Sequence, residues 1–213
     1  MAINNQILLN IHNRLQLYPH SKLLIVSKNR SQDLIKTLLN QNYRLFGENR
    51  VKEAEEKFSQ DILDLYANIE LHLIGALQSK KVEKALSIFD CIQTIDRKKL
   101  IDEIVKVKSK NIIKTKKFLI QINIGQEPQK SGIEIDQVSD LINYANKNDI
   151  SIDGLMCIPP NDNNAKFYFD RLRRIRDDLD PSMELSMGMS NDYLIALEAG
   201  SNIIRVGSLI FDE

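Results

Sequence analysis

Charge of one sign, cysteine and long apolar runs are what this chain lacks. Its 29 lysines and arginines balance 29 aspartates and glutamates, so no global field draws in nucleic acid or anionic lipid. The two cysteines, Cys91 and Cys157, stand far apart beside apolar residues. They read as buried thiols of a reducing cytosol rather than as a disulfide or a metal site. Three histidines, His12, His20 and His72, are scattered without zinc-type spacing, so no metal site is expected. No apolar run approaches the roughly 20 residues that span a bilayer. The N-terminal "MAINNQILLNIHNRL" has neither a basic region nor a small-residue cleavage site, and a cytoplasmic protein is the expectation. No Pro/Gly-rich linker, low-complexity tract or composition shift divides the chain.

What is present is a regular alternation. With 213 residues, 43% of them hydrophobic, the chain can bury one substantial core. After an amphipathic start (Ile3, Ile7, Leu8, Ile11, Leu15), strand-like and helix-like segments alternate. "LLIVSK" precedes "SQDLIKTLLNQN", and "YRLFG" precedes "RVKEAEEKF". "ELHLIG", "CIQTID", "FLIQINI", "GLMCIP" and "ELSMGM" each precede a helical segment in the same way, and "NIIRVG" closes the series before "SLIF". About eight strand–helix units with near-continuous apolar strands predict an α/β fold, a single-domain (β/α)8 TIM barrel over residues 1–213. Residues 1–20 are expected as an extra N-terminal helix packed on the barrel. An open doubly wound sheet is the alternative, but no GxGxxG follows the first strand.

In a barrel the C-terminal strand ends carry the chemistry. Lys28 ends the first strand, either as a snorkelling charge or as a reactive amine held on a rigid scaffold. "GEN", 47–49, ends the second. After strands 7 and 8, where barrels often hold phosphate, stand Gly188, Ser190, Gly207 and Ser208. Ser190 occupies an N-cap position ahead of "NDYLIALEAG", with Gly200 as its C-cap. Each residue alone reads as ordinary capping or turning, but together they point to a dianion site. A phosphate cradle facing a strand-end lysine fits a phosphorylated carbonyl compound, because a neutral amine attacks an aldehyde. Desolvation or a nearby cation would activate that amine. Two ligands fit: a sugar phosphate, making the chain a Schiff-base aldolase, or pyridoxal phosphate.

The segments "LLIVSKNRS", "RLFGENRVKEAEEK", "LHLIGALQSKKV", "INIGQEPQKSGI", "GLMCIPP" and "LSMGMSNDYLIALEAGSNIIRVGSLIF" resemble the pyridoxal phosphate homeostasis protein family, in order from about residue 22 onward. The resemblance implies a barrel related to the cofactor domain of alanine racemase, with pyridoxal 5'-phosphate in Schiff-base linkage to Lys28. It also implies that Ser190, Gly207 and Ser208 hold the phosphate, that Arg205 faces the pyridine nitrogen, and that Asn49 lies close to the ring. The third-strand motif departs from the family pattern. Leu71 stands for a tryptophan, Ala76 for a histidine and Lys80 for an asparagine, while the closing lysine is kept as Lys81.

An arginine at the ring nitrogen bears on function. A guanidinium only donates, so the nitrogen stays unprotonated and the ring becomes a weaker electron sink. Racemisation would need a second acid–base group, yet the six tyrosines fall mainly in predicted helices or loops, and Cys157 reads as a packed thiol. The residues point to holding pyridoxal phosphate without turnover, and the resemblance implies a role in vitamin B6 homeostasis, passing the cofactor on to apoenzymes or buffering its free level. The chain is expected to be monomeric, with no nucleic acid or membrane partner. The alternatives are a racemase-like enzyme or an aldolase. His72, inside a strand, reads as structural. Met183, Met187 and Met189 read as core, with Met187 able to touch the ligand. The basic run at 106–117 reads as a solvated surface.

Overall fold

The computed structural model describes residues 2–211. Eight parallel strands close into a barrel in chain order, with the eighth pairing the first. They are β1 (Lys22–Val26), β2 (Leu45–Glu48), β3 (Glu70–Leu73), β4 (Cys91–Ile95), β5 (Lys117–Ile122), β6 (Gly154–Cys157), β7 (Glu184–Ser186) and β8 (Ile203–Val206). The connecting helices are α2 (Gln32–Asn40), α3 (Val51–Lys57), α4 (Gln60–Leu65), α5 (Val82–Ile88), α6 (Lys98–Lys108), α7 (Val138–Lys147), α8 (Ala165–Leu179) and α9 (Tyr193–Glu198), and α1 (Asn5–Leu15) precedes the barrel. None is long and apolar enough to cross a membrane.

Two readings of the helices need correction. The N-terminal helix is shorter than 1–20, because Asn4 caps it by accepting from the Ile7 N–H and the chain turns after Leu15. The eighth strand also has no helix of its own among the described residues. After β8 the chain makes a turn at 208–210, and Phe211 bridges back to Ile3 while the Asn4 N–H donates to Ile210 O at 2.8 Å. α1 then packs against β1.

Strand side chains alternate between two spaces. Outward residues such as Phe46, Ile92, Ile120, Leu155 and Ile204 join the helices in the main apolar core, which is why nearly every strand residue is buried. α2 shows the matching pattern on the other side. Ser31 caps it, and Ile35, Leu38 and Leu39 form its buried stripe.

The inward residues are different. Cys91, Leu119 and Met156 form a small separate apolar cluster. Register places His72 beside Cys91, and Met156 between Gln121 and Ser186, on this same face. At the N-terminal end of the strands Lys117 pairs with Glu184 at 2.8 Å. Gly47 is required by this crowded interior, since a Cβ there would lie 2.2 Å from Leu24 Cδ2. Toward the C-terminal end the β4–β5 register shifts between Ile92 and Ile95, at the level of Gln93. Such irregularities re-aim a side chain next to a site.

Candidate functional site

Lys28 leaves β1 in a tight turn. The Arg30 N–H donates to Ser27 O at 3.1 Å, and Asn29 takes a left-handed φ of 57°, which asparagine tolerates. A buried ionic cluster clamps this turn from outside the barrel. Lys57 Nζ donates to Ser27 O at 2.5 Å, to Glu48 Oε1 at 3.1 Å and to Glu53 Oε1 at 2.6 Å. Ser27 Oγ donates to Glu48 Oε1 at 2.7 Å, and the Asn29 N–H donates to Glu53. Burial pushes the Glu48 carboxyl up, opposed by Ser27 and Lys57. The lysine is thus delivered by a turn with little freedom. Its own side chain is exposed.

A cleft of about 750 Å³ opens at the C-terminal mouth. It gathers Lys28, Ser190, Arg205, Gly207 and Ser208, contributed by the ends of β1, β7 and β8. Ser208 Oγ donates to Ser190 Oγ at 2.9 Å, so the two hydroxyls converge on one point. Ser190 is not the helix cap expected of it: α9 starts at Tyr193 with Asp192 at its N-cap, which leaves the Ser190 hydroxyl for the cleft. Gly188, at φ 94°, makes the turn that brings this segment over the barrel, and a Cβ there would lie 2.4 Å from Ala196 Cβ. Gly200 follows the helix at φ 91° in the usual C-terminal role.

Arg205 forms the buried side of the cleft. Nη1 donates to Ser186 Oγ at 2.9 Å and Nη2 to Cys157 O at 2.8 Å. These bonds use two of a guanidinium's five N–H donors. Desolvation pulls its pKa down from the ordinary value, an effect that Cys157 and Asp192 oppose. Asn49 is placed elsewhere. It is half-buried in the adjoining depression with Arg50, Leu73, Ala76, Gln78 and Lys81, across the β2–β3 boundary.

Several lining residues were not singled out from sequence. Lys130, from the "QKSG" loop after β5, pairs with Glu127 at 2.5 Å and donates to Pro159 O at 3.2 Å. Asp192 lines the same cleft with its carboxyl pushed up by burial. Met189 faces the cleft, while Met187 is wholly buried in the core. Among the described residues no tyrosine or histidine lines the cleft. Cys157 is buried in the core, and burial pushes its thiol up to about 12. Among the described residues no group of three or more metal-ligating side chains occurs.

The model of the alanine racemase N-terminal domain family matches residues 5–212. A pyridoxal phosphate homeostasis protein of Aquifex aeolicus is 38% identical over 202 residues, covering 91% of this chain and 87% of its own. The structure of PipY of Synechococcus elongatus with PLP bound superposes with a TM-score of 0.79 at 31% identity, covering 95% of this chain and 97% of that one. Alanine racemase of Acinetobacter baumannii shares the fold, with a TM-score of 0.70 at 18% identity, covering 96% of this chain and 57% of that one.

Proposed function

The chain belongs to the pyridoxal phosphate homeostasis protein family, within the alanine racemase N-terminal domain, and from that premise we propose that it binds pyridoxal 5'-phosphate in the cleft around Arg205. One observation carries the reading: a primary amine, a buried guanidinium with two of its five N–H donors bonded, and two converging hydroxyls line the same cleft. That donor set matches the three polar ends of the cofactor. Lys28 holds the aldehyde carbon in a Schiff-base linkage. Ser190, Ser208 and the backbone at Gly207 hold the phosphate. Arg205 donates to the pyridine nitrogen, while Asn49 lines a separate depression at the end of β2. When bound, the cofactor supplies an aldehyde that condenses with primary amines and a ring that withdraws electrons.

The residues of this chain are better suited to holding that group than to exploiting it. Arg205 cannot protonate the ring nitrogen, since its desolvated guanidinium only donates hydrogen bonds. A racemase needs a second acid–base group across the ligand. The buried thiol of Cys157 is too weak an acid for that work, and Lys130 is held by Glu127 and Pro159 O. The role that follows is a monomeric carrier that buffers free pyridoxal phosphate in the cytoplasm and delivers it to apoenzymes. Titration of the protein with pyridoxal phosphate, followed by near-visible absorption and by deuterium exchange at Cα of added amino acids, tests this. A saturable band without exchange is expected. Exchange at enzymic rates would establish a racemase instead, and a band-free protein that binds sugar phosphates would establish an aldolase.

A further inference from the structure

The barrel interior holds a continuous chain of polar side chains that ends on Arg205. Arg205 Nη1 lies 2.9 Å from Ser186 Oγ, which lies 2.6 Å from Gln93 Oε1. Gln93 Nε2 lies 2.7 Å from His72 Nδ1, and His72 Nε2 lies 2.8 Å from Glu70 Oε1. His72, Gln93, Ser186 and Arg205 are all buried, while Glu70 is half-exposed at the start of β3. The chain therefore runs from the cleft through the barrel to the opposite mouth. The residues come from β8, β7, β4 and β3, and the register shift in β4 falls at Gln93.

With the Gln93 amide oxygen toward Ser186, one placement of the hydrogens satisfies every bond. A guanidinium only donates, so Ser186 Oγ accepts from Arg205 and gives its single proton to Gln93 Oε1. The Gln93 amide then presents N–H to His72 Nδ1, which must accept. The ring proton is left on Nε2, pointing at the Glu70 carboxylate. All four bonds share one donor sense, from a cation to an anion, the arrangement in which neighbouring hydrogen bonds polarise one another. The reverse amide orientation would need His72 to be a cation to keep its bond to Glu70.

We infer that Gln93 and His72 are positioning residues for Arg205: through Ser186 they fix the plane and reach of the guanidinium that faces the cofactor ring. Cys157 O holds one arm of the fork and the chain holds the other. This rests on the pyridoxal phosphate reading for its consequence, but the chain itself can be tested without ligand. In the cofactor-free protein, 15N NMR of the His72 ring is expected to show Nδ1 accepting and the proton on Nε2, and Ser186→Ala is expected to shift Nδ1. A proton on Nδ1, or a ring indifferent to Ser186→Ala, would overturn the inference.

The second arm is a double-mutant cycle read by pyridoxal phosphate titration. Gln93→Leu is expected to weaken binding by about tenfold, the size of one lost buried hydrogen bond, and to shift the absorption maximum of the bound cofactor. In an Arg205→Lys background the same change is expected to do nothing further. Gln93→Glu, which keeps the acceptor toward Ser186, is expected to restore the maximum. An equal loss in both backgrounds would make Gln93 merely structural and overturn the proposal. Should Gln93→Leu fail to fold, His72→Leu runs the same cycle with the same two outcomes. A wild type that binds no pyridoxal phosphate but shows the expected His72 ring would sink the cofactor reading and leave the chain standing.

Discussion

Phe46, Phe89 and Phe169 fill the shell between the strands and the helices, whereas His72, Gln93, Ser186 and Arg205 run through the barrel's own interior. Both spaces are buried, and both are built from the same strands by alternation. The shell is held by apolar area, which is non-directional, so any well-packed residue of the right volume serves. The interior polar residues have to be partnered, because each unpaired buried group costs on the order of 1–3 kcal/mol. Stability accordingly resides outside the barrel wall, and the chemistry of the cleft is set inside it and at its mouth.

Breaking the shell should have the largest effect and the least specific one. Phe46 packs on Phe58 with ring centroids 5.4 Å apart and is fully buried. Phe46→Ala is expected to cost about 3–5 kcal/mol in urea unfolding, with pyridoxal phosphate affinity of the folded fraction unchanged. Breaking the mouth should do the reverse. The double change Ser190→Ala with Ser208→Ala removes both converging hydroxyls. It is expected to weaken pyridoxal phosphate binding by roughly 10- to 100-fold, as two lost hydrogen bonds to a charged group would, and to leave pyridoxal, which has no phosphate, unaffected. Isothermal titration of the two vitamers side by side reads this directly.

Crowding the interior should sit between these in specificity and below them in size. At Gly47 a methyl group meets Leu24 Cδ2, so Gly47→Ala is expected to cost about 1–3 kcal/mol in the same unfolding assay, as overpacked cores do. The smallest effect sharpens the comparison by being equal in both spaces. Cys157 lies in the shell and Cys91 in the interior, and burial pushes both thiols up, Cys157 to about 12. Both thiols are buried and held against ionisation, so neither cysteine should react with iodoacetamide until urea unfolds the chain. Modification of one before unfolding, followed by mass spectrometry, would show which space opens first.

Sequence patterning carried the barrel because alternation is local: a run such as "CIQTI" with a helix after it needs no knowledge of the rest. The placement of Lys28, Ser190, Arg205, Gly207 and Ser208 in one cleft followed from the rule that strand ends converge. Other features depended on three-dimensional detail. Ser190 read as a cap because the start of α9 depends on how Asp192 and Met189 turn, and Asn49 turns toward a neighbouring depression. The polar chain joins residues up to 93 positions apart, which no spacing reveals. A signal was nevertheless present. Gln93 is a fully buried glutamine inside an apolar strand, and His72 is another polar residue at such a position, each of which demands a partner.

The central claim is that the turn after β1, clamped by Lys57, Glu53 and Glu48, exists to present Lys28 to a pyridoxal phosphate molecule. The most direct test is the near-visible absorption spectrum of the protein loaded with pyridoxal phosphate, wild type beside Lys28→Ala, before and after borohydride, with mass spectrometry of the reduced protein. The account predicts a yellow band in wild type that borohydride bleaches, with one cofactor fixed on Lys28, and no such band in the variant. A band of equal strength in Lys28→Ala, or a colourless wild type, would contradict it.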